Sequence, residues 1–345
     1  MTLGIAKELE LRKDYLTDPT LHTIYFGGGT PSLLTEEEID HLFNTICKNF
    51  TIDPGAEITI ETNPDDLNKQ QLSLLNNYFN RLSIGIQSFH EPHLRYMNRA
   101  HSADEAKSSV LNAQDVGFNN ISIDLIYGIP HPDHSVWENN LQTALSLNVQ
   151  HLSSYCLTIE PGTVFGTWLQ KNKISQADDD FSARQFEYLI QYASQNGFEH
   201  YEISNFCKPG LYSRHNSSYW QGKHYLGLGP SAHSFNGYSR QFNIAHNKKY
   251  IDALSLNKLH FEYEELSKKD RVNEYIMTGI RTTWGISVKH IQEKLGFAFE
   301  EQLSKVAVFK KEGLLNYEED SISLTAKGKL IADRITRDLF LIKDI

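Results

Sequence analysis

Through the first half of the chain, short apolar runs alternate with stretches whose apolar residues recur every third or fourth position. Leu3, Ala6, Leu9 and Leu11 repeat in that way within residues 1–15 and predict a helix. HTIYFGGG, from His22, reads as a strand running into glycines. Thr35 followed by Glu38 is a capping box that opens a helix over TEEEIDHLFNTICKNF. EITIET from Glu57, RLSIGIQSF from Arg81, NISIDLIYGIP from Asn120 and HLSSYCLTI from His151 read as further strands. Helical spacing returns over residues 67–79, 103–116, 135–147 and 178–196. Strands alternating with helices at this interval predict βα units around a parallel sheet.

Beyond residue 201 the texture changes. The stretch 201–260 reads as loop-rich and aromatic. From about residue 265 helices are expected over 269–283 and 299–312, then a hairpin turning at Asp320-Ser321 and a last helix. Helix, helix, hairpin and helix form a winged-helix layout. The expected organisation is therefore a partial βα barrel over 1–200, a connecting segment over 201–260 and a C-terminal α+β domain over 265–345.

Composition narrows the function classes. Of 345 residues, 43 are acidic and 33 basic, a formal net charge of −10. Basic and acidic residues are nearly equal in number in the C-terminal domain, so no electrostatic footprint for nucleic acid is present there. No apolar run approaches the roughly 20 residues of a membrane span. Cys47, Cys156 and Cys207 are few, distant and odd in number, which implies no disulfide framework and points to the cytoplasm. Cys47 is expected on a helix, Cys156 in a strand and Cys207 in a loop.

The expected strands end in polar or glycine residues, which in a βα barrel would gather at one mouth. Gly27, Gly28 and Gly29, followed by Thr30, would let backbone approach a ligand and offer its N–H groups to a carboxylate. Glu61, Gln87 and Asp124 lie in or at the ends of the following strands, and Arg99 comes shortly after. A carboxylate in a run as apolar as ISIDLIYGIP is costly to bury unpaired. Two carboxylates, an amide and a guanidinium suit a ligand carrying amino, carboxyl, ribose and sulfonium groups.

GGGTPSLL, ETNPDD, RLSIGIQSF with NRAH, ISIDLIYGIP, HLSSYCLTIEPGT and YEISNF…SRHNSSYW…YLGLGPSAHS resemble, in order, the radical S-adenosylmethionine (SAM) coproporphyrinogen-oxidase-like family. SRHNSSYW and GLGPSAHS resemble its HemW-like heme-chaperone branch. That resemblance implies SAM and a [4Fe-4S] cluster as cofactors, heme as cargo and heme-acceptor proteins as partners, and it allows a homodimer. It implies that Gly28, Gly29 and Thr30 cradle the methionine end of SAM and that Glu61 holds its amino group. Gln87, Arg99 and Asp124 match positions lining the pocket, with Thr158 and His233 matching more loosely. His215, between Arg214 and the Tyr219-Trp220 pair, is the candidate axial ligand for heme. The alternative functions are an oxygen-independent coproporphyrinogen III oxidase, or a fragment without a cluster and without activity.

The chain departs from the family in one respect. The CxxxCxxC loop that ligates the cluster is absent, and the three cysteines are too dispersed to replace it. A first barrel strand would be absent with it, so an N-terminal truncation of the barrel is expected.

Overall fold

In the computed structural model, residues 1–342 are described. The chain divides into two compact units. One comprises Met1–Ile24, Leu34–Glu57 and the chain from Arg214 onward; the other comprises Tyr25–Leu33 and Ile58–Ser213.

A seven-stranded sheet contains β1 (Thr20–Phe26), β2 (Thr51–Thr62), β3 (Arg81–Gln87), β4 (Ile121–Tyr127), β5 (His151–Cys156), β6 (Glu199–Glu202) and β7 (Asn205–Cys207). Their order is β1-β2-β3-β4-β5-β7-β6. Neighbours from β2 to β5 pair in parallel, and β5, β7 and β6 pair antiparallel. The fold is mixed α/β, a partial βα barrel followed by a smaller C-terminal domain. Parallel strands covered on both faces read as continuous apolar runs; Leu82, Ile84 and Ile86 of β3 and Ile121, Ile123 and Leu125 of β4 are all fully buried. The helices Lys69–Asn76, Ala103–Val116 and Ser135–Ser146 add Leu72, Leu75, Val110, Ala113 and Ala144 to that core. Parallel register brings Thr62, Gln87, Tyr127 and Cys156 to one edge.

The other unit carries two small antiparallel sheets. The first consists of β8 (His233–Phe235), β9 (Ser239–Asn243) and β10 (Phe261–Glu265), in the order β10-β9-β8. The second consists of β11 (Ile286–Ser287), β12 (Leu315–Glu318) and β13 (Ser321–Leu324), in the order β11-β13-β12. With the helices Lys268–Gly279, Glu300–Lys311 and Ala332–Leu339, this second sheet completes the helix, helix, hairpin and helix layout.

Several elements differ from the sequence reading. Between its loops the stretch 201–260 also holds β7, β8, β9 and the helices Arg214–Trp220 and Asn247–Ser255. Cys207 ends β7 and is buried rather than lying in a loop. The first helix stops at Leu11, and the helices Glu91–Tyr96 and Val164–Gln170 were not anticipated. The hairpin turns at Glu319-Asp320, with Glu319 at a φ of 52°, because the Asp320 carboxylate accepts the Lys289 N–H and the Ser287 hydroxyl.

An ion pair fastens the first helix, Thr2–Leu11, to the small sheet β8–β10. Glu8 and Arg12 are 1% and 4% exposed and lie 3.1 Å apart. Charges so far from water require hydrogen-bonding partners beyond each other, and the small sheet and its flanks supply them. Glu8 accepts the Gly229 N–H at 2.9 Å, the Asn243 amide at 2.7 Å and the Tyr250 hydroxyl at 2.5 Å. Arg12 donates to Ser234 Oγ at 3.0 Å, Gln241 Oε1 at 2.7 Å and the Gly227 carbonyl at 3.3 Å. The GLGPSAHS motif is thus bound at three positions, Gly227, Gly229 and Ser234. A Cβ at Gly227 would meet the His233 carbonyl oxygen at 2.0 Å.

Removing one member of such a pair strands the other in the interior. Glu8→Ala should therefore lower unfolding free energy by roughly 3–5 kcal/mol, read as a reduced urea midpoint. Lys248→Ala, which breaks the exposed Lys248–Asp252 pair, should change it by about 0.5 kcal/mol or less. Equal effects would show that the buried pair does not anchor this unit.

Candidate functional site

The polar strand ends of the unit built from Tyr25–Leu33 and Ile58–Ser213 converge on Glu61. Its Oε1 accepts the Tyr25 hydroxyl at 2.8 Å, and its Oε2 accepts the Gly28 N–H at 3.0 Å. Burial, then the charge of Glu61, push the Tyr25 phenol above its usual range, so it stays a donor. Gly28 and Gly29 have φ values of 74° and 67°, and a Cβ on either would meet nothing within 4 Å. The loop is therefore open above these two residues, while at Gly27 a Cβ would lie 2.6 Å from the Tyr25 ring and 3.0 Å from the Glu61 carboxyl. Thr30 is exposed at the loop's end, where its carbonyl accepts the Leu33 N–H at 3.2 Å.

Gln87 closes β3 in an unusual conformation. Its φ is 68°, and the Ser88 N–H donates to the Ile86 carbonyl at 2.8 Å, the i→i+2 bond of a γ-turn. The β3–β4 register shifts at the same place. Asn140, 2% exposed, holds the turn by accepting the Phe89 N–H at 2.8 Å and donating to Ser88 Oγ at 3.0 Å. A non-glycine residue held there stores strain of the kind concentrated at functional sites. Arg99 donates to Asn63 Oδ1 at 2.8 Å and to the Gly85 carbonyl at 3.1 Å, so it joins the ends of β2 and β3.

Asp124, in β4, stands in register with Ser153 of β5. Burial pushes its pKa up to about 6; the Ser153 hydroxyl bond opposes that rise, Glu61 adds to it, and Arg81 and Arg99 oppose it. Thr158 is exposed in the loop after β5, its hydroxyl 3.5 Å from the Cys156 carbonyl. Glu61, Gln87, Arg99 and Asp124 are thus brought to one sheet edge beside the glycine loop. The sequence reading missed Tyr25, Asn63, Arg81 and Ser153; only Arg81, a charged residue opening an apolar strand, left a signal.

His215 and His233 belong to the other unit. His233 begins β8 with its ring 4.7 Å from that of Phe242. His215 lies on the helix Arg214–Trp220 and not in a loop. Glu57 accepts the N–H groups of Arg214 and His215 at 3.0 and 2.9 Å, so its carboxylate satisfies donors that this short helix leaves free at its N-terminus. His215 Nδ1 lies 3.1 Å from the Thr23 hydroxyl and Nε2 lies 3.1 Å from the Tyr219 hydroxyl.

The radical SAM superfamily model matches residues 5–141, and the HemN C-terminal domain model matches residues 266–331. The heme chaperone HemW of Bacillus subtilis is 34% identical over 92% of this chain and 85% of its own length. HemW of Mycobacterium tuberculosis is 33% identical over 98% of this chain and 85% of its own length. The chain belongs to the HemW family. The solved structure of the coproporphyrinogen III oxidase HemN from Escherichia coli has the same fold, with a TM-score of 0.83 at 23% identity over 98% of this chain and 82% of that one.

The strand-end residues have room for the methionine end of SAM: the loop is open above Gly28 and Gly29, and the Glu61 carboxylate stands beside it, bonded to the Gly28 N–H. The residues present do not fit an iron–sulfur cluster. Cys156 closes β5, whereas Cys207 of β7 pairs with His151 at the start of that strand, so the two thiols of this unit stand at opposite ends of β5. No group of three His, Cys, Asp or Glu side chains among the described residues is arranged to hold a metal ion. Nor is any helix among them long and apolar enough to cross a membrane.

The raised pKa of Asp124 has a stability consequence. A carboxyl group that is harder to ionise folded than unfolded favours the fold while protonated, and that contribution is lost as pH rises through about 6. The wild type's stability relative to Asp124→Asn should therefore fall by up to about 3 kcal/mol between pH 4 and pH 7. Chemical denaturation at several pH values measures this; a difference independent of pH would show that Asp124 titrates normally.

Proposed function

We propose that this chain is a heme-binding chaperone that passes heme to acceptor proteins, with SAM held at the strand-end site. The observation carrying this reading is the 34% identity to HemW of Bacillus subtilis across 85% of that protein's length. Gly28, Gly29 and Thr30 receive the methionine carboxylate on backbone N–H groups, and Glu61 receives the amino group. Gln87, Arg99, Asp124 and Thr158 line the remainder. Bound there, SAM would present its positively charged sulfonium to these carboxylate and amide groups. The chain's own residues orient it, and Glu61 exchanges its bond to Gly28 for one to the ligand's ammonium.

Heme is the cargo. His215 becomes its axial ligand through Nε2 when the exposed Tyr219 hydroxyl swings away. Thr23 then retains Nδ1, the arrangement by which a second partner fixes the orientation of a ligating imidazole. Arg214 lies beside it for a propionate, and Tyr219 and Trp220 supply aromatic surface for the macrocycle.

Two titrations test these assignments. Heme added to the wild type should shift the Soret band, and His215→Ala should abolish that shift. An unchanged spectrum in the variant would remove His215 as the ligand, and a wild type that binds no heme would overturn the chaperone reading. In calorimetry with SAM, Glu61→Gln should weaken binding tenfold or more; equal affinities would remove Glu61 from the site.

A further inference from the structure

His101, the last residue of the NRAH motif, takes no part in the contacts described above. It is 3% exposed, and its Nε2 lies 3.0 Å from the Ile86 carbonyl oxygen. A carbonyl oxygen only accepts, so the proton is on Nε2. Burial, which outweighs the bond to Ile86, and the charge of Arg99 hold the ring's pKa below its usual value, against the pull of Asp65 and Glu105. A neutral ring has one N–H, and the carbonyl takes it. Nδ1 is buried without a hydrogen bond, 3.7 Å from an Asp65 carboxylate oxygen. An apolar side chain would spare the fold that orphaned nitrogen, so what histidine adds here is the single bond to Ile86.

That carbonyl belongs to the strained end of β3. Between the pairs Ile84–Ile123 and Gln87–Leu125 the register slips, so Gly85 and Ile86 together oppose Asp124. A bulge of this kind bends its strand and re-aims the side chains beside it; the residue that follows is Gln87, at a φ of 68°. Both carbonyls of the bulge are met from the NRAH segment, Gly85 by the Arg99 guanidinium at 3.1 Å and Ile86 by His101. The Ile86 carbonyl also accepts the Ser88 N–H at 2.8 Å, so the γ-turn bond and the imidazole bond converge on one oxygen. That oxygen lies in the peptide plane joining Ile86 to Gln87, and the two bonds fix the plane from which the φ of Gln87 is measured. Asn140 secures Ser88 and Phe89 after the turn; His101 secures the peptide before it.

We infer that His101 is a positioning residue of the strand-end site: by holding the Ile86 carbonyl it keeps Gln87 in its left-handed conformation and so presents that side chain to the ligand. For its bearing on SAM this role rests on the proposed function; the clamp itself belongs to the ligand-free chain. The left-handed region is unfavourable for a residue with a Cβ and persists only where the surroundings enforce it. Released from the imidazole bond, Gln87 relaxes toward extended backbone, and its side chain leaves the position it holds at the strand end.

Two amides of different reach test the assignment in the whole chain. A glutamine places its amide nitrogen where the histidine Nε2 stands, whereas an asparagine amide reaches only as far as Nδ1. The backbone carbon shifts of Gln87, read by NMR without ligand, should move to extended values in His101→Leu and His101→Asn and keep their wild-type values in His101→Gln. SAM affinity, read by calorimetry, should fall tenfold or more in the first two variants and return in the third. Loss of packing alone would not sort the variants by reach. In the wild type, the nitrogen shifts of the His101 ring should report a proton on Nε2, a reading that depends on no variant folding; a proton on Nδ1 would overturn the clamp. Unchanged Gln87 shifts in His101→Leu, or no recovery in His101→Gln, would do the same. Equal SAM affinity in His101→Leu and a binding wild type would remove His101 from the site's support. A wild type that binds no SAM, with the Gln87 shifts sorted as expected, would overturn the SAM assignment and leave the clamp standing.

Discussion

Two opposite charges removed from water govern the unit built from Met1–Ile24, Leu34–Glu57 and the chain from Arg214 onward. Glu8 lies on the first helix and Arg12 caps its C-terminal end one turn later, and neither retains solvent. Desolvating such a pair costs more than its attraction returns unless the remaining lone pairs and N–H groups are also satisfied. Three partners on each side meet that requirement, and all six lie between Gly227 and Tyr250. The consequence is specificity of position: a segment far downstream in the chain must return to one spot. Gly227 and Gly229 can be read in that light, since their backbone, not a side chain, makes the contact.

The same device recurs on β2, which contributes two carboxylates with different tasks. Glu57 is buried, and its two oxygens accept N–H groups at the start of the helix Arg214–Trp220. Glu61 is committed differently: it accepts one phenol and one backbone N–H. A carboxylate has about four acceptor positions, and the glycine loop beside it is exposed. Residues of the same type on the same strand thus differ in what surrounds them.

Legibility in the sequence followed the range of the interactions involved. Strands β2 to β5 could be read because burial on both faces leaves a continuous apolar signature. The capping box of Thr35 and Glu38 could be read because it is local. The small sheet could not: FEYEE in β10 has four exposed residues of five, so its register comes from pairing with β9. The helix RHNSSYW was missed because Ser, Asn and His are indifferent helix formers. Its first N–H groups are satisfied by Glu57, 157 residues earlier for Arg214. At the site, the glycine loop and Glu61 stood out as motifs, whereas Tyr25, Asn63 and Ser153 acquire meaning only from the neighbour that each meets.

The balance of charge at the strand ends is also a property of the assembled sheet. Glu61 and Asp124 face the influence of Arg81 and Arg99, nominally two against two. Were compensation complete, Asp124 would ionise as an ordinary aspartate. Its pKa near 6 shows that the guanidinium groups do not offset the loss of water, in part because Arg99 is directed to neutral acceptors, the Asn63 amide oxygen and the Gly85 carbonyl. The edge therefore holds negative charge that the protein alone stabilises poorly near neutral pH. A cation seated there would relieve it, and the excess that weakens the free fold would become a source of affinity for a ligand bearing an ammonium or sulfonium group.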